Sequence, residues 1–189
     1  MRIRSLFTET RYKHFRDVFW FAVLTLGIHY SYRFWANSLH YWPVREGMLA
    51  VQQAMTNIVY HQSAWFNRHV LDIWMDLRDH TMYFYNTCWI SINKSCAGDK
   101  QILQFALLVL IYPGPWRKKL WFIPVGVVII HLTNILRIVL LSLVALNKPE
   151  WMGVLHDTVL RGMFYVVILA LWIVWVEGII GEQGSKKTE

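Results

Sequence analysis

The chain has 189 residues, of which 56% are hydrophobic and 16% aromatic, and it contains 11 Trp. Apolar runs far longer than a soluble core helix needs indicate a membrane protein that crosses the bilayer several times. The formal net charge is +7, but the basic residues form short clusters without a basic stripe or a base-stacking motif, which argues against nucleic acid as a partner.

The first predicted element is a transmembrane helix over residues 17–36, preceded by a basic cytoplasmic N-terminus, residues 1–16. The apolar stretch Val18–Tyr32 is not followed by a small-residue cleavage site. We therefore expect a retained membrane anchor rather than a signal peptide.

Residues 37–95 are predicted to form an extracytoplasmic segment at the membrane interface. One stretch has the pattern of an amphipathic helix lying at the interface, with apolar residues at helical spacing (Met48, Val51, Met55, Ile58, Val59) and polar residues opposite (Gln52, Gln53, Thr56, Asn57, His61). Val70–His80 carries four charges in its middle and is not expected to span the membrane. Thr81–Asn93 is rich in Tyr, Trp, Ile and Thr, which predicts a short extended segment leading towards Cys96.

Three further transmembrane helices are predicted within a catalytic core of residues 96–181, followed by a cytoplasmic tail, residues 182–189. They cover about Gly98–Pro113, Leu120–Leu146 and Val159–Ile180, and Pro113-Gly114-Pro115 stops the chain between the first two. The predicted fold class is thus an all-α polytopic membrane protein with about four transmembrane helices. Six is the alternative, if residues 37–95 hide two more crossings.

The distribution of charge predicts the orientation of these helices. The loop Arg117–Lys119 and the tail lysines fall on the same side as the basic N-terminus, which the positive-inside rule places in the cytoplasm. The basic residues within residues 37–95 are balanced by acidic ones. That segment and the loop Asn147–Thr158 are therefore expected on the non-cytoplasmic face.

Cys96 is the first candidate for chemistry, because it opens the second predicted span in Ser95-Cys96-Ala97-Gly98. A thiol at a helix N-terminus lies near unpaired amides that favour the thiolate, and the small residue Gly98 allows a substrate backbone to approach. The alternative is structural. Cys88 lies eight residues earlier on the same oxidising side, so a Cys88–Cys96 disulfide is physically possible.

Arg137 is the second candidate, because it shares the apolar stretch Leu120–Leu146 with only one other ionisable residue, His131. A charge inside the membrane indicates a functional site by default. About 20 residues cross the hydrocarbon core, so a helix entering at Leu120 brings Arg137 close to the outer interface. It can stabilise an oxyanion or bind a substrate carbonyl, with Asn134 one turn deeper as a supporting residue. The alternative is an arginine that snorkels to lipid phosphate.

His156 lies in the outer loop before the last span and can act as general base and then general acid. Its alternative is an interfacial histidine without a special role. His61, His69 and His80 lie near acidic residues, but no tight ligand motif such as His-Glu-x-x-His occurs, so no metal and no other cofactor is predicted.

Three motifs in this order resemble the exosortase/archaeosortase family: Cys96-Ala97-Gly98 opening a span, Asn134–Ile138 in the next span, and His156 with Gly162 beyond it. The resemblance covers roughly residues 88–178. It implies that Cys96 is the nucleophile, Arg137 the charge that stabilises the transition state, and His156 the acid/base. The chain is shorter than the larger members, and Asp99 stands where an apolar residue is usual.

The resemblance implies a function as well as roles. Members are membrane-embedded cysteine proteases or transpeptidases that process exported proteins bearing a C-terminal motif, a transmembrane helix and a basic tail. We therefore expect a multi-pass protein of the bacterial cytoplasmic membrane, with its active site on the non-cytoplasmic face and with those exported proteins and membrane lipid as partners. The alternative is a non-enzymatic component of an export or exopolysaccharide assembly, in which the two cysteines form a structural disulfide.

Overall fold

A computed structural model describes the backbone of residues 2–180 and the side chains of residues 18–156, 158–160 and 162–178. Side chains of the predicted basic N-terminus, residues 1–16, and all of the predicted tail, residues 182–189, lie outside the described residues.

The chain is mostly helical, with one small sheet. Its elements are α1 (Arg2–Asn37), α2 (Arg45–His69), β1 (Met75–Arg78), β2 (Thr81–Phe84), β3 (Trp89–Ser91), α3 (Asp99–Ile111), α4 (Trp116–Asn147), α5 (Met152–Val154) and α6 (Leu160–Ile173). Short 3-10 helices cover Lys94–Cys96 and Pro149–Trp151, and π-helical turns cover Leu155–Val159 and Val174–Ile180. The prediction of a helical protein is confirmed, but the all-α description is wrong, because the three strands form an antiparallel sheet in the order β1-β2-β3.

α4 is the helix best suited to cross a membrane. Among the described residues it alone is both long and apolar enough, with 32 residues, and Gly162–Gly178 is a shorter apolar stretch. The second predicted span is shorter than expected. α3 has 13 residues, about 20 Å of helix, against a hydrocarbon core of roughly 30 Å. The number of crossings stays a prediction.

α3 and α4 form a closely packed pair on either side of the Pro113–Pro115 turn. A Cβ added at Gly126 of α4 would overlap the ring of Phe105 on α3, so a larger residue there would force the ring or the helix to shift. Lys119, which the sequence assigns to an exposed basic loop, is instead buried and donates from Nζ to the carbonyl oxygens of Leu110 (2.8 Å) and Tyr112 (2.7 Å). The ammonium satisfies carbonyls that the end of α3 leaves without partners.

α2 confirms the predicted helix but packs differently from the interfacial helix that the sequence suggests. Its residues Gln52 and Thr56, expected on the polar outer side, are buried, whereas Val51 and Ile58 are exposed. The buried amide of Asn67 on α2 donates to Ser142 Oγ of α4 at 2.8 Å. These polar side chains face inward because they find hydrogen-bond partners on other helices, Gln52 with Asp99 of α3 and Asn67 with Ser142 of α4.

The sheet covers the C-terminal end of α4. Met82 and Ile90 are buried in one apolar cluster with Ile138 and Leu141 of α4. In the loop between β2 and β3, Asn86 Nδ2 donates to the carbonyl oxygen of Ala145 at 2.9 Å, near the end of the helix. The strands therefore confirm the predicted extended segment and lie against the same end of α4 as Arg137.

Candidate active site

Cys96 ends the short helix Lys94–Cys96, and α3 begins only at Asp99. The expectation that Cys96 opens the helix is therefore wrong by about one turn, because Gly98 takes a left-handed φ of 80° that separates the two helices. Cys96 is 8% exposed and belongs to the apolar cluster beneath the sheet. Cys88 and Cys96 are both free thiols.

Asn134 and Gly98 both act on the turn that carries Cys96. Asn134 Nδ2, on α4, donates to the carbonyl oxygen of Cys96 at 2.7 Å and is buried. A Cβ at position 98 would stand 3.0 Å from that same nitrogen. Asn134 thus fixes the backbone of Cys96, and Gly98 provides the space and the backbone angle that the contact requires.

Arg137 and His156 are hydrogen-bonded to each other, with 3.1 Å between Nη2 and Nε2. A guanidinium can only donate, so Nε2 is the acceptor in this hydrogen bond, and the tautomer that fits the contact has its proton on Nδ1. Arg137 is 8% exposed, and its guanidinium carbon lies 5.9 Å from the centre of the Phe164 ring, within the range of a cation–π contact. These contacts lie inside the bundle, which argues against snorkelling to lipid phosphate.

Cys96 and His156 line the same cavity, whose volume is about 300 Å³. His156 stands in the π-helical turn Leu155–Val159, a rare conformation that is frequent at functional sites. The other walls come from β3, α4 and α5: Trp89, Ile90, Ser91, Ile138, Leu141, Met152 and Gly153. The structure thus brings Cys96, Arg137 and His156 together at the sheet-covered end of α4, while their roles stay predictions.

A buried polar cluster beside Cys96 was not predicted as part of the site. Asp99 is 8% exposed, and its Oδ2 accepts from Tyr32 Oη at 3.0 Å and from Gln52 Nε2 at 2.9 Å. Tyr41 Oη lies 3.3 Å from the same Gln52 nitrogen. The cluster ties α1 and α2 to the first residue of α3, so Asp99 and Asn134 hold the Cys96 turn from two directions. The signal for it was the acidic residue directly after Cys-Ala-Gly.

We expect Asp99→Leu to destabilise the folded protein more than Asp99→Asn. Leucine leaves the Tyr32 hydroxyl and the Gln52 amide buried without an acceptor, which costs about 1–3 kcal/mol per group. Asparagine keeps a side-chain oxygen that can accept from both. Thermal unfolding of the purified protein in detergent would measure the difference, and equal losses in the two variants would contradict this account of the cluster.

The candidate metal-ligating histidines, His61, His69 and His80, are not among the residues that line this cavity. Within the part of the chain that the structure describes, no three His, Cys, Asp or Glu side chains come together as metal ligands would. His80 is hydrogen-bonded to Asn57 of α2, and His131 of α4, which was not among the metal candidates, has its Nε2 2.7 Å from Gln62 Oε1. These imidazoles contribute to packing between α2 and its neighbours.

Comparison with known proteins places a family model over most of the chain. The model described as transmembrane exosortase matches residues 16–173, which extends from within α1 to the end of α6. The match includes Cys96, Arg137 and His156. No curated protein and no solved structure gives a significant match.

Proposed function

The chain belongs to the transmembrane exosortase family, and from that premise we propose that it is a cysteine peptidase or transpeptidase that cleaves the C-terminal sorting signal of exported proteins. Membership itself makes it a membrane-embedded, sorting-related protein. The observation that carries the activity is the cavity that Cys96 and His156 share, with Arg137 bonded to that histidine.

Cys96 is the nucleophile of the proposed reaction. Its thiol gives its proton to His156, and the sulfur forms a bond to the carbonyl carbon of the scissile peptide. The C–N bond then breaks, and the leaving amine takes the proton from His156. A thioester remains on Cys96 until an amine, a hydroxyl group or water attacks it. That acceptor gives its proton to His156, which returns it to the departing thiolate.

Arg137 couples this proton transfer to stabilisation of the oxyanion. In the tautomer described above, only Nε2 of His156 has a lone pair, and Arg137 donates to it. When the proton from Cys96 arrives at Nε2, two N–H donors face each other and their hydrogen bond is lost. The N–H of Nη2 that had bonded to His156 can then donate to the carbonyl oxygen just as negative charge develops there.

The proposed reaction takes place at the outer face of the bacterial cytoplasmic membrane. Arg117 and Lys118 in the first turn of α4 support this orientation by the positive-inside rule. Arg137 follows Lys119 by 18 residues, roughly 27 Å along the helix, which is close to the thickness of a hydrocarbon core. A peptide bond near the membrane anchor of an exported protein lies at the same depth.

Processing of a membrane-anchored reporter tests the proposal. An exported reporter carries the C-terminal motif, transmembrane helix and basic tail of an exported protein from the same cells, and it is produced with and without this chain. We expect a shortened reporter only when the chain is present, with its new C-terminus upstream of the transmembrane helix by mass spectrometry. An intact reporter in both cases contradicts the proposed activity.

The non-enzymatic alternative has no specific support. It relied on a structural disulfide between Cys88 and Cys96, and both thiols are free. An assembly component would not require a thiol in the same cavity as an arginine-bonded histidine. The cysteine variants treated in the Discussion separate the two functions.

A further inference from the structure

β3 is an edge strand whose outer backbone groups are identifiable. It pairs with β2 on one side only. On that side the carbonyl of Cys88 and the N–H of Ile92 are hydrogen-bonded, at 2.9 Å and 2.8 Å. Hydrogen-bonded pairs alternate along an antiparallel ladder, so Ile90 also turns towards β2. Trp89 and Ser91 therefore direct their N–H and C=O groups to the free edge.

The free edge of β3 faces the cavity that contains Cys96. Three consecutive residues of β3 line that cavity, although Ile90 is buried and Trp89 is exposed. Successive side chains of a strand point to opposite faces of the sheet. A cavity that touches all three residues runs along the backbone of the strand, and because β2 occupies one edge, the free edge is the one open to it.

Within the described part of the chain, no segment beyond β2 forms a backbone hydrogen bond with Trp89 or Ser91. A row of free donors and acceptors is a template for an extended chain. A lipid acyl chain has no groups that could satisfy it. A peptide has the alternating N–H and C=O groups that it needs.

We propose that a substrate peptide binds along β3 as a fourth, temporary strand and so presents its scissile carbonyl to Cys96. The inference rests on the proposed function and specifies how that substrate is held. The apolar walls at Ile138, Leu141 and Met152 take one apolar side chain of the peptide. Main-chain bonds provide affinity, and this side chain provides selectivity.

Ser91→Pro tests the edge without breaking the sheet. Proline removes an N–H that points away from β2, and edge strands tolerate proline at such positions. Ser91→Ala is the matched variant, because it removes the hydroxyl and keeps the N–H. We expect the KM for the reporter to rise roughly tenfold in Ser91→Pro relative to Ser91→Ala, with equal rates of Cys96 alkylation by a small thiol reagent. Equal KM values would overturn the proposal.

Residue-resolved hydrogen exchange decides the matter even if Ser91→Pro folds poorly. The full chain carrying Cys96→Ser is mixed with the uncleaved reporter, and retention of the reporter on the purified protein establishes binding. We expect exchange of the Trp89 and Ser91 amides to slow roughly tenfold or more, with Ile90 unchanged. If the reporter binds but Trp89 and Ser91 are not protected while Ile90 stays unchanged, the proposal is overturned. Protection of the same amides without reporter at high protein concentration also overturns it, because the edge would then bind a second copy of the chain.

Failure of this inference is distinguishable from failure of the proposed function. If the wild-type chain leaves the reporter intact, the proposed activity fails, whatever the exchange data show. If the wild-type chain shortens the reporter but Trp89 and Ser91 gain no protection, cleavage stands and the edge is not the docking site.

Discussion

Replacing Cys96 with Ser should abolish reporter processing while leaving the amount of protein in the membrane unchanged. The side chains are close in size, but a serine hydroxyl does not ionise near neutral pH as a thiol can. The substitution therefore changes the attacking atom and little else. We expect the processing rate to fall by at least roughly a thousandfold, measured by the appearance of the shortened reporter over time.

Cys88→Ser is the matched control, since it makes the same chemical change eight residues away. Cys88 packs against the same apolar cluster as Cys96 but does not line the cavity. We expect the Cys88→Ser variant to process the reporter at close to the wild-type rate. We also expect a thiol probe that cannot cross membranes to label Cys96 in intact spheroplasts. If the two cysteines formed a disulfide, losing either one would lower the free energy of unfolding by the same ~2–4 kcal/mol. Equal phenotypes of the two variants would therefore refute the catalytic assignment.

Arg137→Lys should lower kcat by roughly a hundredfold or more although the charge is retained. The guanidinium presents several N–H groups in a rigid plane, so it can leave His156 and meet an oxyanion from one position. An ammonium is a strongly hydrated point charge on a flexible chain and does not reproduce that geometry. If Arg137 acts mainly in the transition state, the KM for the reporter should change little.

Arg33→Lys is the matched control for the arginine. Arg33 is an exposed residue of α1, so the same substitution there should leave processing unchanged. Thermal unfolding of both variants separates lost catalysis from lost stability. Near-normal processing by Arg137→Lys would assign Arg137 to a lipid-facing or purely structural role.

The sequence predicted α4 and its surroundings best. A long apolar run, a proline-glycine-proline stop and a basic cluster are local signals, and the structure has the corresponding helix at Trp116–Asn147. The depth of Arg137 in that run also predicted that it would lie near Cys96 and His156. The helix needed only local signals, and the proximity needed only the depth of Arg137 and the predicted outer positions of Cys96 and His156.

The contacts that the sequence did not predict join residues far apart in the chain. Helical spacing identified the two faces of α2, but it could not tell that Gln52 finds an acceptor in Asp99, 47 residues later. The offset of Cys96 from α3 likewise depends on the contact between Gly98 and Asn134. Contacts of this kind depend on how the helices pack against one another. In a single sequence the two partners are visible only as separate polar residues, without any sign that they meet.

The contact between Tyr32 and Asp99 also bears on whether the first helix of this protein can be exchanged for another. A first transmembrane helix is often regarded as an exchangeable anchor that any apolar segment could replace. In α1, the predicted first span, the hydroxyl of Tyr32 donates to the buried carboxylate of Asp99, three residues after the candidate nucleophile. A chimera that receives its first helix from an unrelated anchor would still insert into the membrane, yet it would leave that carboxylate short of a donor. Helix swapping between members of this family should therefore succeed only when the tyrosine and the aspartate are transplanted as a pair.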